Sequence, residues 1–225
     1  MRTNRRKYLN KIPSEYIKLR YVSSERKYSV NPRYKVPFIL TDVNATIDTR
    51  IKMTLLLYRH LITSDGYIWG YNIAGGYSPG NDADFKFATS IFKNNEYDND
   101  YNKFSISINN INTVVDYPVP YGKICNIYID VSSNLLKVDF GGGIIKSAMS
   151  DKKPVKVNKK QISFMTLTPF LPPFGNLYGA KIYHGNVLKC NLVPVKRKSD
   201  GVIGMYDLVG KKFYTSPNGM AFTGG

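Results

Sequence analysis

Hydrophobic and polar residues alternate with a period of two along much of this 225-residue chain. In Lys103-Phe104-Ser105-Ile106-Ser107-Ile108-Asn109 every second side chain is apolar. Such a stretch buries one face and leaves the other wet, which is the signature of a half-buried strand. Cys125, Ile127, Ile129 and Val131 repeat the pattern, and so do Leu136, Val138 and Phe140. Ser132-Ser133-Asn134 between them is a turn cluster. Ala180-Lys181-Ile182-Tyr183 and Val187-Leu188-Lys189-Cys190 flank His184-Gly185-Asn186 and read as a hairpin. Asp84-Phe85-Lys86-Phe87 opens a further strand. One segment fits two periods. Met53, Leu56, Leu57, His60 and Leu61 have helical spacing, while Met53, Leu55 and Leu57 have strand spacing. The alternation of Ile47-Asp48-Thr49-Arg50-Ile51-Lys52 just before it decides for one long strand. Gly141-Gly142-Gly143 and the Lys152–Lys160 stretch read as loops. Many short strands at close spacing predict a sandwich or barrel.

Composition agrees. The chain has 18 Tyr, 11 Phe and 18 Gly, yet its only glutamates are Glu15, Glu25 and Glu96. Strands favour aromatic and β-branched residues, whereas helix surfaces are usually filled with Glu, Ala and Lys. An apolar fraction of 43% argues against wholesale disorder. The length fits one large all-β unit better than two small ones. Cys125 and Cys190 are too few for a disulfide framework and lack Cys-x-x-Cys spacing, so both read as core or free thiols. No apolar run reaches the length that spans a bilayer. The start, Met1-Arg2-Thr3-Asn4-Arg5-Arg6-Lys7-Tyr8-Leu9-Asn10-Lys11, is basic but is followed by no apolar core, so no secretory signal is expected.

The net charge of +16 changes this picture because it is unevenly spread. Residues 1–35 carry 11 basic and two acidic side chains, residues 36–150 nine and 11, and residues 151–225 12 and three. A basic arm and a basic C-terminal third flank a nearly neutral body, which predicts contact with something anionic.

Two stretches resemble a known family. Ile12-Pro13-Ser14-Glu15-Tyr16-Ile17-Lys18-Leu19-Arg20-Tyr21-Val22-Ser23-Ser24 is similar to the opening of laminin-G-like, concanavalin-type jelly-roll modules. Such modules are common in bacteriophage structural proteins and in gut bacterial surface proteins. Asn191-Leu192-Val193-Pro194-Val195-Lys196-Arg197-Lys198-Ser199-Asp200-Gly201-Val202-Ile203-Gly204-Met205-Tyr206-Asp207-Leu208-Val209, followed by Lys212-Phe213-Tyr214-Thr215, resembles the family's closing motif without a gap. Ala180–Tyr183 resembles its penultimate strand. Val195 stands where the family has a cysteine, and Glu25-Arg26-Lys27-Tyr28-Ser29-Val30 replaces a glycine-containing turn. The resemblance implies an all-β, two-sheet antiparallel jelly-roll sandwich over residues 12–225, preceded by a short basic arm over residues 1–11. It also implies that the first and last segments pair, bringing residues 16–22 near 205–223.

Candidate chemistry is sparse. Glycoside hydrolysis needs two facing carboxylates. None of the three glutamates falls in the Glu-x-Asp-x-x-Glu pattern of the glucanases that share this fold, and Asp82 and Asp84 lie in a Gly-Asn loop. His60 and His184 have no nucleophile motif beside them and read as surface or structural. Glu96, Asp98, Asp100 and Asn102 alternate like the start of a Ca²⁺ loop, but Tyr101 and Ser107 replace the required glycine and glutamate. The reading is therefore non-enzymatic, with no cofactor or metal. Tyr67, Trp69 and Tyr71 on one side of a strand, and Tyr117 and Tyr121 in a Pro-containing loop, are the candidate glycan-stacking residues. Arg2, Arg5, Arg6, Lys7 and Lys11 are the candidate anchor.

The resemblance, taken with the expected lack of a secretory signal, implies a bacteriophage virion protein, of capsid-decoration or head-fibre type. It would be made in the host cytoplasm, displayed on the virion surface and anchored to other virion proteins by its arm. It is expected to be homo-oligomeric or lattice-bound, with no membrane partner. No nucleic-acid recognition motif is present, so nucleic acid is not expected as the main partner. The rival expectation is a carbohydrate-binding module or adhesin that recognises host or environmental glycans.

Overall fold

The computed structural model describes residues 11–24, 37–58, 71–76, 85–91, 102–109, 111–154, 156–157, 159–165 and 175–225. Within them the chain forms strands and no helix. In order they are β1 (Tyr16–Lys18), β2 (Val22–Ser24), β3 (Ile39–Asn44), β4 (Thr49–Leu57), β5 (Tyr71–Gly76) and β6 (Phe85–Ile91). There follow β7 (Asn102–Ile108), β8 (Ile111–Pro118), β9 (Ile124–Asp130), β10 (Leu135–Asp139), β11 (Ile145–Met149) and β12 (Gln161–Phe164). The last five are β13 (Gly175–His184), β14 (Val187–Arg197), β15 (Ile203–Asp207), β16 (Lys212–Tyr214) and β17 (Thr223–Gly224).

The strands make two antiparallel sheets. The larger runs β11-β10-β9-β4-β13-β14-β15-β16, with β1 on β14, β2 on β13 and β17 on β2. The smaller runs β3-β12-β5-β6-β7-β8. The period of two decides which face each residue takes. Ile51, Met53, Leu55 and Leu57 of β4, Ile127 and Ile129 of β9, and Ile182 of β13 point inward from the large sheet. Phe104, Ile106 and Ile108 of β7 and Ile162 and Phe164 of β12 do the same from the small one. All are nearly inaccessible to water and belong to a single cluster. Burying a side chain of this kind stabilises the fold by roughly 1.5–3 kcal/mol.

The doubtful segment around Met53 is a strand, β4, because its neighbours β9 and β13 supply partners on both edges. The hairpin joins β13 to β14 through Gly185 and Asn186, with Gly185 at φ 55° where a side chain would be strained. The turn after β9 is built by Asp130, whose Oδ1 accepts from the Ser132 amide (3.1 Å) and hydroxyl (2.7 Å). Val131 and Phe140, expected within strands, lie just beyond β9 and β10 but remain buried.

The expected meeting of the two ends occurs. Tyr16 faces Arg197 across the β1–β14 ladder, and Val22 faces Gly224 across β2–β17. The amides of Arg20 and Tyr21 both donate to the Gly225 carbonyl (2.6 and 3.0 Å). On the outer face of the large sheet, Ile12 and Tyr16 cover a small second cluster of Val195, Tyr206 and Leu208 with Val193 and Phe213. The Tyr16 ring lies 5.0 Å from that of Tyr206 and 5.2 Å from that of Phe213. The lead-in segment is thus bolted across one end of that face.

Candidate functional site

The outer face of the large sheet divides in two. Residues 12–18 cover its β14–β16 end. The remainder, across β10, β9, β4, β13 and the start of β14, forms an open trough of about 920 Å³. Its lining follows from the strand period, because the residues between the buried ones must face out. They are Arg50, Lys52 and Thr54 of β4, Asn126 and Tyr128 of β9, Lys137 and Asp139 of β10, Lys181 and Tyr183 of β13, and Asn191 of β14.

Register aligns one row of these side chains across five strands. Lys137 faces Tyr128, Tyr128 faces Lys52, Lys52 faces Lys181 and Lys181 faces Asn191. Lys52 and Lys181 are therefore like charges directly opposite one another, an arrangement that destabilises a sheet. The Lys52 ammonium leans between two rings, 5.7 Å from the centroids of both Tyr128 and Tyr183. Among the described residues, no carboxylate forms an ion pair with Lys52, Lys137 or Lys181.

The other charges of the trough are occupied. Asp130 Oδ2 accepts from Arg50 Nε at 2.8 Å and from the Tyr128 hydroxyl at 3.3 Å, while Arg50 Nη1 donates to Asn186 Oδ1 at 3.1 Å. Burial works against the charged form of Asp130, but hydrogen bonds from Ser132 and the Arg50 guanidinium outweigh it, and the carboxyl titrates below the usual range. Asp139 accepts from the Gly141 amide (2.9 Å) and from Asn126 Nδ2 (3.4 Å), and Asn126 in turn accepts from the Thr54 hydroxyl at 2.8 Å. Both carboxylates already serve as structural acceptors.

The residues singled out from the sequence lie elsewhere. Arg2, Arg5, Arg6, Lys7, Tyr67, Trp69, His60 and Glu96–Asp100 are outside the described residues. Lys11 is exposed next to the covered Ile12. Tyr71 opens β5, and its side chain is outside what is described. Tyr117 belongs to β8 rather than to a loop, with its ring 4.5 Å from that of Phe140, and Tyr121 is half-buried against the main core. Val119 between them is buried, and it draws the segment inward. His184 Nε2 bonds the Asn44 carbonyl oxygen at 3.0 Å, a structural contact between the sheets. Cys125 and Cys190 are free and buried, as expected; burial pushes the Cys125 thiol up to about 11 and raises that of Cys190 further. Both thiols are therefore poor nucleophiles at neutral pH. Among the described residues no group of His, Cys, Asp and Glu could hold a metal ion. The trough residues were visible in the sequence only as the polar members of alternating strands.

No family model matches this chain, and no curated protein matches it. Solved structures do. The native heptameric SAP-like pentraxin of Limulus polyphemus superposes with a TM-score of 0.49 at 8% identity, over 89% of this chain and 96% of that one. The full extracellular region of zebrafish Gpr126/Adgrg6 superposes with a TM-score of 0.52 at 11% identity, over 93% of this chain and 27% of that one. At such identities the likeness is one of fold. Together with the sheet order, it makes this chain an antiparallel jelly-roll sandwich, as the resemblance of its two ends implied.

Proposed function

We propose that this chain is a non-enzymatic structural protein of a bacteriophage virion, a jelly-roll body displayed on the particle and tethered through residues 1–11. The observation that carries the reading is the clamping of the segment that directly follows the basic residues in sequence. Ile12 and Tyr16 are clamped on the outer face by Val195, Tyr206 and Phe213, and the basic residues begin immediately upstream at exposed Lys11. A cationic segment joined in sequence to a clamped anchor point suits docking to an acidic protein lattice, where charge complementarity sets on-rate and register. Deleting residues 1–11 is expected to leave a folded protein with unchanged melting temperature that no longer enters virions. Full occupancy of the truncated protein on purified particles refutes the tether.

Self-association is part of this reading. β11 ends the large sheet and exposes Ile145 (53%) and Met149 (62%). Lys146 is the one charge of this strand, and apolar side chains exposed on an edge strand favour pairing with a second copy. Met149→Lys is expected to lower the mass measured by light scattering to that of a single chain without loss of the fold. A wild-type protein that is already monomeric at high concentration contradicts it.

A second reading, glycan binding, is favoured by the trough. Its ammonium groups and the Asn126 amide are open to solvent on a rigid sheet, the kind of surface that can hold a sugar chain.

A further inference from the structure

We infer that the trough binds an acidic polysaccharide, one bearing carboxylate or sulfate groups, laid across the strands along the row Lys137–Tyr128–Lys52–Lys181–Asn191. This rests on the glycan-binding reading of the same trough and specifies its ligand. The first argument is electrostatic. Three ammonium groups lie on four adjacent strands, so Lys137 and Lys181 stand about 14 Å apart at strand spacing. Lys52 and Lys181 oppose each other directly, and none of the three has an ion-pair partner among the described residues. Such an arrangement costs stability in the free protein and is relieved when anionic groups arrive between the lysines.

The second argument selects the class of polyanion. Single-stranded nucleic acid binds by stacking its bases on free aromatic faces. Here the Lys52 ammonium already lies against both Tyr128 and Tyr183. The one guanidinium of the trough, Arg50, is held by Asp130 and Asn186 and is not available as a phosphate fork. An acidic peptide would pair most readily with a sheet edge, whereas this surface is a sheet face with its backbone groups already used in the ladders. What the face offers is point charges interleaved with neutral hydrogen-bonding groups, Asn191 at one end and Thr54 and Asn126 beside the row. That combination matches a chain of hydroxyl-rich rings with a charge at intervals.

The test uses the full-length protein and fluorescently labelled alginate oligosaccharides as the acidic probe, with neutral dextran, an oligo-dT strand and poly-glutamate as comparisons. Binding of alginate is expected at low salt and should weaken as salt rises. Lys52→Gln/Lys181→Gln is expected to weaken it by at least about tenfold, the sum of two partly exposed charge contacts. The same variant should melt at or above the wild-type temperature, because it removes a repulsion. Lys152→Gln/Lys153→Gln removes equal charge from an exposed loop away from the trough and should change affinity less than about twofold. Equal losses in the two double variants overturn the site. Tighter oligo-dT or poly-glutamate binding through Lys52 and Lys181 overturns the ligand class. Dextran binding that the trough variant abolishes, without alginate binding, overturns the inference but leaves the glycan reading standing. Binding of neither sugar by the wild-type protein overturns both.

Discussion

Asp207→Ala is expected to lower the unfolding free energy by about 2 kcal/mol, the cost of taking a buried carboxylate's bonds away from three part-buried backbone N–H groups. The Asp207 carboxylate is 2% exposed and closes the end of β15. Its Oδ1 accepts from the amides of Asn191 (2.8 Å) and Val209 (2.9 Å), and its Oδ2 from that of Gly210 (2.9 Å). One side chain thus ties β14 to β15 and shapes the turn into β16. Alanine removes both acceptor oxygens, and with them all three hydrogen bonds, at once. Asp207→Asn keeps one oxygen but sets an amide against a backbone N–H, so its loss should be intermediate. Urea denaturation checks both, with the midpoint falling and the slope unchanged. A loss below about 1 kcal/mol for alanine would mean that the three amides find other partners, contrary to the general cost of orphaned buried donors.

Asp207 also illustrates what the sequence could and could not convey. The stretch from Asn191 to Val209 was legible as a family likeness, but its meaning is visible only in the fold. Asp200 braces its turn by pairing with Arg197 and accepting from the Val202 amide at 3.1 Å. Tyr206 receives Tyr16 on the outer face, Asp207 caps and Leu208 fills the small cluster. The motif is structural hardware that holds the first strand to the last ones.

The strands themselves were readable because burial imposes a period of two, and Phe104, Ile106 and Ile108 obey it without exception. Ambiguity arose where apolar residues appear on both faces, as with Leu56 beside Leu55 and Leu57, since the outward side of β4 is itself half-covered there. The trough was not readable. Nothing local indicates that Lys52 faces Lys181, because that contact depends on which strand pairs with which and in what register. The tyrosines chosen from local pattern fared differently for the same reason. Tyr117 reads as part of a Pro-containing loop, yet sheet packing sets it against Phe140, while Tyr128 and Tyr183, not among the candidate glycan-stacking residues, flank Lys52.

Gly204→Ala is expected to destabilise by about 3 kcal/mol, the upper range for forcing extra atoms into a packed interior. Gly204 lies in β15 beside β16, and its backbone does not occupy the left-handed region. The penalty is therefore purely steric. A Cβ there would come within 2.2 Å of the Tyr214 carbonyl oxygen and 2.9 Å of the Phe213 ring. The ring can turn aside, but the carbonyl is fixed by the β15–β16 ladder, so the two strands must separate. Separation would also loosen Phe213 from Tyr16, carrying the damage to the lead-in segment. Gly142→Ala supplies the contrast. Its φ is 60°, but nothing lies within 4 Å of the added carbon, so only the conformational cost of about 1–2 kcal/mol applies. Thermal melts of the two variants should rank Gly204→Ala well below Gly142→Ala. The reverse order would mean that β16 is free to move away from β15, and that the C-terminal strands do not form the rigid seat on which residues 12–18 are docked.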